Sequence, residues 1–296
     1  MGERPTGKAL MPEKPEEKYA FLPALLLVGI LLLGAFFRFY DLQQGYIDGD
    51  EALLRDSANR PVSKIITEKW RNLGQDPAEV LEPPLTSLIV KPLILNPGIS
   101  GETLDDKTER FLVRVPFALI GVLAVWFAYA LGRSVLNRSA GLLAALMMAL
   151  QYNPVFYSRI IRPYIIMILC ALCLAYTLYR GYRQGKKRDF VFMALALAVF
   201  LYSHYFALMF LPVLPAWGIW LAACKWKEKG REASALFLLK FLGGVFLAAL
   251  LFGPWMPAAR TALFQSVHGA SVGYDPKTVW FELPAGFFLM LMTHWT

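Results

Sequence analysis

The chain has 296 residues, a formal charge of +8, 57% hydrophobic residues and a mean hydropathy of +0.45. Soluble domains carry about 45–50% apolar residues, so an ordinary soluble domain is excluded and the excess apolar surface calls for a bilayer. The basic residues sit in short clusters between apolar runs, which reads as a membrane-topology signal and excludes nucleic acid as the reason for the charge.

In chain order, residues 1–19 form a polar tail with three prolines and mixed charges. The run "FLPALLLVGILLLGAFF" (21–37) follows and ends in "FFRFYDL" without a small-residue cleavage site, so it reads as a retained first span. Further apolar runs lie at about 111–131, 140–157, 164–179, 190–206, 207–223, 235–253 and 283–295. Three polar breaks between them are basic: "GRSVLNRS" (132–139), "RGYRQGKKRD" (180–189) and "KWKEKGRE" (225–232). The positive-inside rule places all three in the cytoplasm, together with the N-terminus. Residues 41–110 hold 13 of the chain's 22 acids against eight Lys or Arg, so the loop 39–110 belongs on the opposite face.

The alternation then requires outer turns near "YSRIIRPY" (157–164) and "SHYF" (203–206). Within the long loop, "PPLTSLIVKPLILNPG" (83–98) is too short to span and has prolines at both ends, which predicts an interfacial helix. The last run stops at the terminus after too few residues to cross, so residues 20–296 are expected to be the membrane portion of a longer protein. Cys170, Cys173 and Cys224 all lie within apolar runs, where they read as small hydrophobes and not as a disulfide, redox or metal set.

This topology collects polar groups on one face. They are Asp48, Asp50 and Glu51 of "YIDGDEA", Glu82 of "EPPL", Arg159 and Arg162 of "SRIIRP", and His204 of "YSHYF". The arginines run against the positive-inside trend, and a carboxylate or a lipid phosphate would offset them. Taken singly, each feature has a plainer reading: a solvated acidic loop, arginines snorkelling at helix ends, a structural histidine, a proline at a helix start. Tyr40, Tyr46, Tyr152, Tyr157, Tyr164, Tyr202 and Tyr205 gather on the same face, as interfacial belt residues or as sugar-stacking platforms. Glu82 and His204 have donor types that suit a divalent ion, but no spacing motif joins them, so neither a metal nor another cofactor is expected.

From "RFYDL" and "YIDGDEA" through "EPPLTSL", "RVPFALIGVLAVWFAYALGRSVLNRSAGLLAALMMAL" and "YSRIIRPYIIMI" to "LYSHYFALMFL", the chain resembles a known family. It is similar to the polyprenyl-phosphate-dependent glycosyltransferases of the GT-C fold, on the branch of the protein O-mannosyltransferases and the bacterial aminoarabinose transferase. The resemblance implies an all-α polytopic bundle in the cell (inner or plasma) membrane, with a long outer loop carrying interfacial helices. It further implies an extracytoplasmic site that moves a sugar from a polyprenyl-phosphate donor to a protein, glycan or lipid acceptor, with inversion. By position, Asp50 would be the general base, with Glu51 or Asp48 positioning it. Arg159 and Arg162 would bind the donor phosphate, and Glu82, Tyr164 and His204 would contact substrate. The chain departs from the family pattern at Glu82, where relatives often have His, and at Ile160 and Ile161, where they often have Glu-Ala. The competing readings are a transporter or lipid flippase, which would place its charges at the membrane midplane, and a non-catalytic membrane scaffold.

Overall fold

The structure is a computed structural model, and it describes residues 21–44, 49–67, 70–71, 79–80, 83–94 and 107–256. Among them the chain is almost wholly helical. Four helical stretches are long and apolar enough to cross a membrane: Phe21–Phe39, Lys107–Val135, Tyr164–Gln184 and Tyr205–Trp255. The run expected at 283–295 lies outside the described residues.

Helix α1 (Phe21–Phe39) is apolar on every side until Arg38. Three short helices follow in the acidic loop: α2 (Gly49–Asn59), α3 (Val62–Thr67) and α4 (Leu85–Val90). Between α3 and α4, β1 (Trp70–Arg71) pairs antiparallel with β2 (Glu79–Val80). Helix α4 opens directly after Pro84, as the "EPPL" segment suggests, and passes into a tight turn at Lys91–Leu93. It does not cross. It packs against α2 and the later helix Lys187–Ser203, burying Thr86, Ser87 and Val90.

The bundle proper is built from α5 (Lys107–Val135), α6 (Arg138–Leu150), α7 (Tyr152–Tyr157), α8 (Tyr164–Gln184), α9 (Lys187–Ser203) and α10 (Val213–Phe252). Helices α5 and α6 meet at Gly132 and Gly141, where a Cβ on Gly132 would sit 2.9 Å from the Gly141 Cα. Small residues at such crossings let backbones approach closely, which is how helices gain contact in lipid. The turn between them is capped by Asn137, whose side chain accepts from the Ala140 N–H at 2.9 Å. Helix α8 ends at Gly185, which takes the left-handed conformation (φ 67°) usual just past a helix C-terminus.

The run at 140–157, expected to be one span, is interrupted. Pro154 has no N–H and its ring would clash with the carbonyl four residues earlier, so the helix breaks at Gln151 (ψ 132°) and restarts as α7. Helix α10 also breaks, at Gly230 (φ 84°, ψ 176°), inside the basic segment 225–232. Its two arms fold back on each other: Ser234 Oγ donates to the Ala222 carbonyl at 2.8 Å, and Gly218 lies under the Phe241 ring. The predicted turns at 157–164 and 203–206 are present too, as the non-helical Ser158–Pro163 segment and the extended His204.

The two ends of the bundle differ in charge. At one end, Lys225 donates to the Tyr182 carbonyl and Lys240 to the Gly185 carbonyl, linking two of the basic turns. At the other, α2 packs among the end of α1, the start of α5 and the 158–163 segment.

Candidate active site

The end of the bundle that carries α2 is held together by buried charges that face the protein. Helix α2 buries Glu51, Leu54, Arg55 and Ala58, a spacing of three and four residues that defines one face. Glu51 is 1% exposed and grips Arg114 of α5 through two bonds, Nε to Oε1 at 3.2 Å and Nη2 to Oε2 at 2.7 Å. The same carboxylate accepts the Ile161 backbone N–H at 2.6 Å. Arg114 also donates to the carbonyls of Leu42 and Gln44 at 3.1 and 2.9 Å. One ion pair therefore ties α2, α5, the end of the first span and the 158–163 turn into a unit. One turn further along α2, Arg55 pairs with Glu109 at 2.9 Å, both fully buried.

A second buried cation shapes the turn itself. Arg38 is fully buried and donates from Nε to Ser158 Oγ at 3.1 Å, and from its two terminal nitrogens to the carbonyls of Gly34, Ala149 and Met148 at 3.0, 3.3 and 3.0 Å. The Met148 and Ala149 carbonyls belong to the last turn of α6, which has no following helical N–H because Pro154 broke the helix. Arg38 supplies those missing donors, and Ser158 in turn donates to the Pro154 carbonyl.

On this rigid base sit the groups predicted for the site. Asp50, the neighbour of Glu51, points away from the core with 57% of its side chain exposed and forms an ion pair with Arg162. Arg162 in turn lies close enough to His204 to act on its charge. His204 follows the last residue of α9. Its Nδ1 accepts the Phe206 N–H at 3.1 Å, and its ring lies 5.7 Å from that of Tyr164. Tyr164 in turn touches Tyr157, with ring centroids 4.8 Å apart. Burial, with the Arg162 charge adding to it, pushes the imidazole down to about 4, so the ring is neutral at neutral pH; with Nδ1 accepting, Nε2 carries the proton and offers one N–H.

Asp50, Arg162, His204 and Tyr164, drawn from three segments far apart in sequence, thus form one patch. Arg159 stands apart from it. Its Nη1 and Nη2 donate to the carbonyls of Phe37 and Asp41 at 2.8 and 3.4 Å, fastening the turn to the end of α1. Asp48 and Glu82 lie outside the described residues. Among the described residues no group of three or more His, Cys, Asp or Glu could hold a metal ion, and Cys170, Cys173 and Cys224 are free thiols.

Sequence reasoning missed Arg114 and Arg38. The available signal was a charge inside or at the end of an apolar run, "FLVRVPF" and "GAFFRFY". Such residues at membrane depth pair with something and carry a role.

The family model described as dolichyl-phosphate-mannose-protein mannosyltransferase matches residues 103–257, just over half of the chain. The match takes in Arg114, Arg159, Arg162, Tyr164 and His204, while Asp50 and Glu51 precede it. No curated protein matches the chain.

Proposed function

Since the chain belongs to the dolichyl-phosphate-mannose-protein mannosyltransferase family, we propose that it transfers a sugar from a polyprenyl-phosphate donor to an acceptor hydroxyl, with Asp50 as general base. The observation that carries this reading is the opposite placement of two adjacent carboxylates: Glu51 is sealed into the scaffold, while Asp50 is exposed beside Arg162. A buried, doubly bonded carboxylate holds geometry. An exposed one on a rigid base can reach a substrate proton.

In the reaction, the acceptor oxygen attacks the anomeric carbon and its proton passes to Asp50. The bond from the anomeric carbon to the phosphate oxygen breaks, and the polyprenyl phosphate departs with the electron pair. A single displacement of this kind inverts the anomeric centre. Arg162 stabilises the charge growing on the phosphate, where a prepositioned guanidinium acts without reorganising. Arg159 anchors the turn that carries Arg162 and adds positive potential. Tyr164 and the neutral His204 line the patch, one as a stacking surface for the sugar and the other as a polar contact. In the cell membrane the end that carries Asp50 would face the extracytoplasmic side, because the three basic turns belong in the cytoplasm. In this reading Glu82 binds substrate and Asp48 helps to position Asp50, and no metal is required.

The test uses membranes carrying the full chain, supplied with radiolabelled polyprenyl-phosphate mannose and, separately, the aminoarabinose carrier. Asp50→Asn is expected to cut transfer by about 10²–10⁴-fold, the range a positioned base contributes. Lys229→Ala, an exposed charge at the opposite end, should leave it unchanged. Transfer by Asp50→Asn at the unaltered rate would remove Asp50 from the role of base.

A further inference from the structure

Far from the candidate active site, at the basic end, a groove of about 250 Å³ runs between α9 and the second arm of α10. Its walls are Phe190, Val191, Leu239 and Leu247, its floor is the pair Gly243–Gly244, and Lys187 and Lys240 stand at its mouth. The lining is chemically divided, with hydrocarbon from Phe190, Val191, Leu239 and Leu247 beside the ammonium groups of Lys187 and Lys240. The groove opens sideways toward lipid, since Val191 and Leu239 on its rim are 45% and 69% exposed.

The Lys187 charge at the mouth is badly placed for the protein alone. Helix α9 begins with Lys186, Lys187 and Arg188, and Lys186 provides no side-chain cap. Cations at a helix N-terminus oppose the helix dipole. The acid of that turn, Asp189, is buried and directed to Arg180, so it faces away from the groove. Lys240 donates to the Gly185 carbonyl at 2.7 Å, which fixes its ammonium at the mouth while leaving two of its three N–H groups for another acceptor.

We propose that this groove binds an anionic phospholipid of the bilayer, with the phosphate against Lys187 and Lys240 and one acyl chain along Gly243, Gly244 and Leu247. The charge of the mouth selects the headgroup, and the apolar strip selects a lipid over a free anion. The site is independent of the transfer reaction and stands whichever sugar is moved.

The purified full chain in neutral detergent is titrated with phosphatidylglycerol, phosphatidylcholine or inorganic phosphate, and bound lipid is counted by native mass spectrometry. The expected result is at least tenfold tighter binding of phosphatidylglycerol than of phosphatidylcholine. Lys187→Ala/Lys240→Ala should abolish that preference. Lys227→Ala/Lys229→Ala, which removes the same charge from exposed positions elsewhere on the basic end, should retain it. Gly243→Leu adds a branched side chain to the groove lining at a position where a Cβ meets nothing within 4 Å, and should weaken binding by a similar factor at unchanged thermal stability. Equal loss in both lysine pairs would mean diffuse attraction and would overturn the site, as would undiminished binding by Gly243→Leu. Displacement of the lipid by millimolar inorganic phosphate would overturn the role given to the acyl groove.

Discussion

Glu51→Gln isolates the role of the buried clamp. The change keeps the shape of the side chain and its acceptor toward the Ile161 N–H, but it leaves Arg114 charged inside the protein, with 4% of its side chain exposed. Removing one partner of a buried ion pair costs about 3–5 kcal/mol, because the survivor stays desolvated. Arg114 retains the carbonyls of Leu42 and Gln44, which sets the expected loss at the low end, about 3 kcal/mol. On the scale of about 2–4 °C per kcal/mol for larger domains, the melting temperature falls by about 6–12 °C. The assay is thermal unfolding of the detergent-solubilised protein followed by tryptophan fluorescence, with transfer activity measured well below the transition. The double variant Glu51→Gln/Arg114→Met removes the stranded charge and should recover at least half of the lost stability, since buried pairs are often replaceable by apolar side chains of similar volume. A Glu51→Gln protein that melts with the wild type, or a double variant that melts below the single one, would refute the clamp.

Two further changes probe the turn and the patch it supports. Gly121→Ala places a methyl group onto Ser158 Oγ and 2.6 Å from Arg38 Nε, so overpacking of about 1–3 kcal/mol is expected; the same unfolding assay checks it, and a neutral result would mean that α1 and α5 can separate there. His204 gives a pH signature. Its folded affinity for a proton, about 4, lies below the ordinary 6.5, through burial first and Arg162 second. The folded state therefore binds fewer protons than the unfolded chain, so the neutral ring's contribution is complete above pH 6.5 and is lost as pH falls toward 4. With Arg162, Tyr164 and Phe206 as its neighbours, His204→Phe should flatten the acid-side fall in melting temperature across that window. Superimposable curves for the two proteins would contradict this.

Much of the architecture was legible because the bilayer imposes simple rules. Spans are long and apolar, and the turns between them carry Lys and Arg, so the breaks at 132–139, 180–189 and 225–232 could be placed from charge alone. The interruption at Gln151 was harder to read. "ALQYNPVFY" is apolar enough to pass as one helix, and the break combines Pro154 with a guanidinium from α1 that takes up the freed Met148 carbonyl, a contact 110 residues distant in sequence that no local pattern announces. Topology brought Asp50 and both arginines to one face and left a carboxylate or a lipid phosphate as the arginines' counter-charge. It could not say which of the two arginines would reach the carboxylate, because that depends on how the 158–163 turn is fastened.

The division of labour between Asp50 and Glu51 follows from helix geometry. Positions 51, 54, 55 and 58 of α2 form the buried stripe, yet two of the four are charged, so a hydrophobicity pattern shows no stripe. What marks it is charge complementarity with α5, where Glu109 and Arg114 meet Arg55 and Glu51. Each helix therefore carries one cation and one anion in the contact, and the two pairs run in opposite sense. Reversing α2 along its axis would oppose like charges, so the pairs select a single orientation. That orientation turns Asp50, about 100° around the helix from Glu51, out of the interface and toward Arg162. The exposed carboxylate is placed by the buried one beside it, and a substitution at Arg114 or Glu109 should reach the patch without touching it.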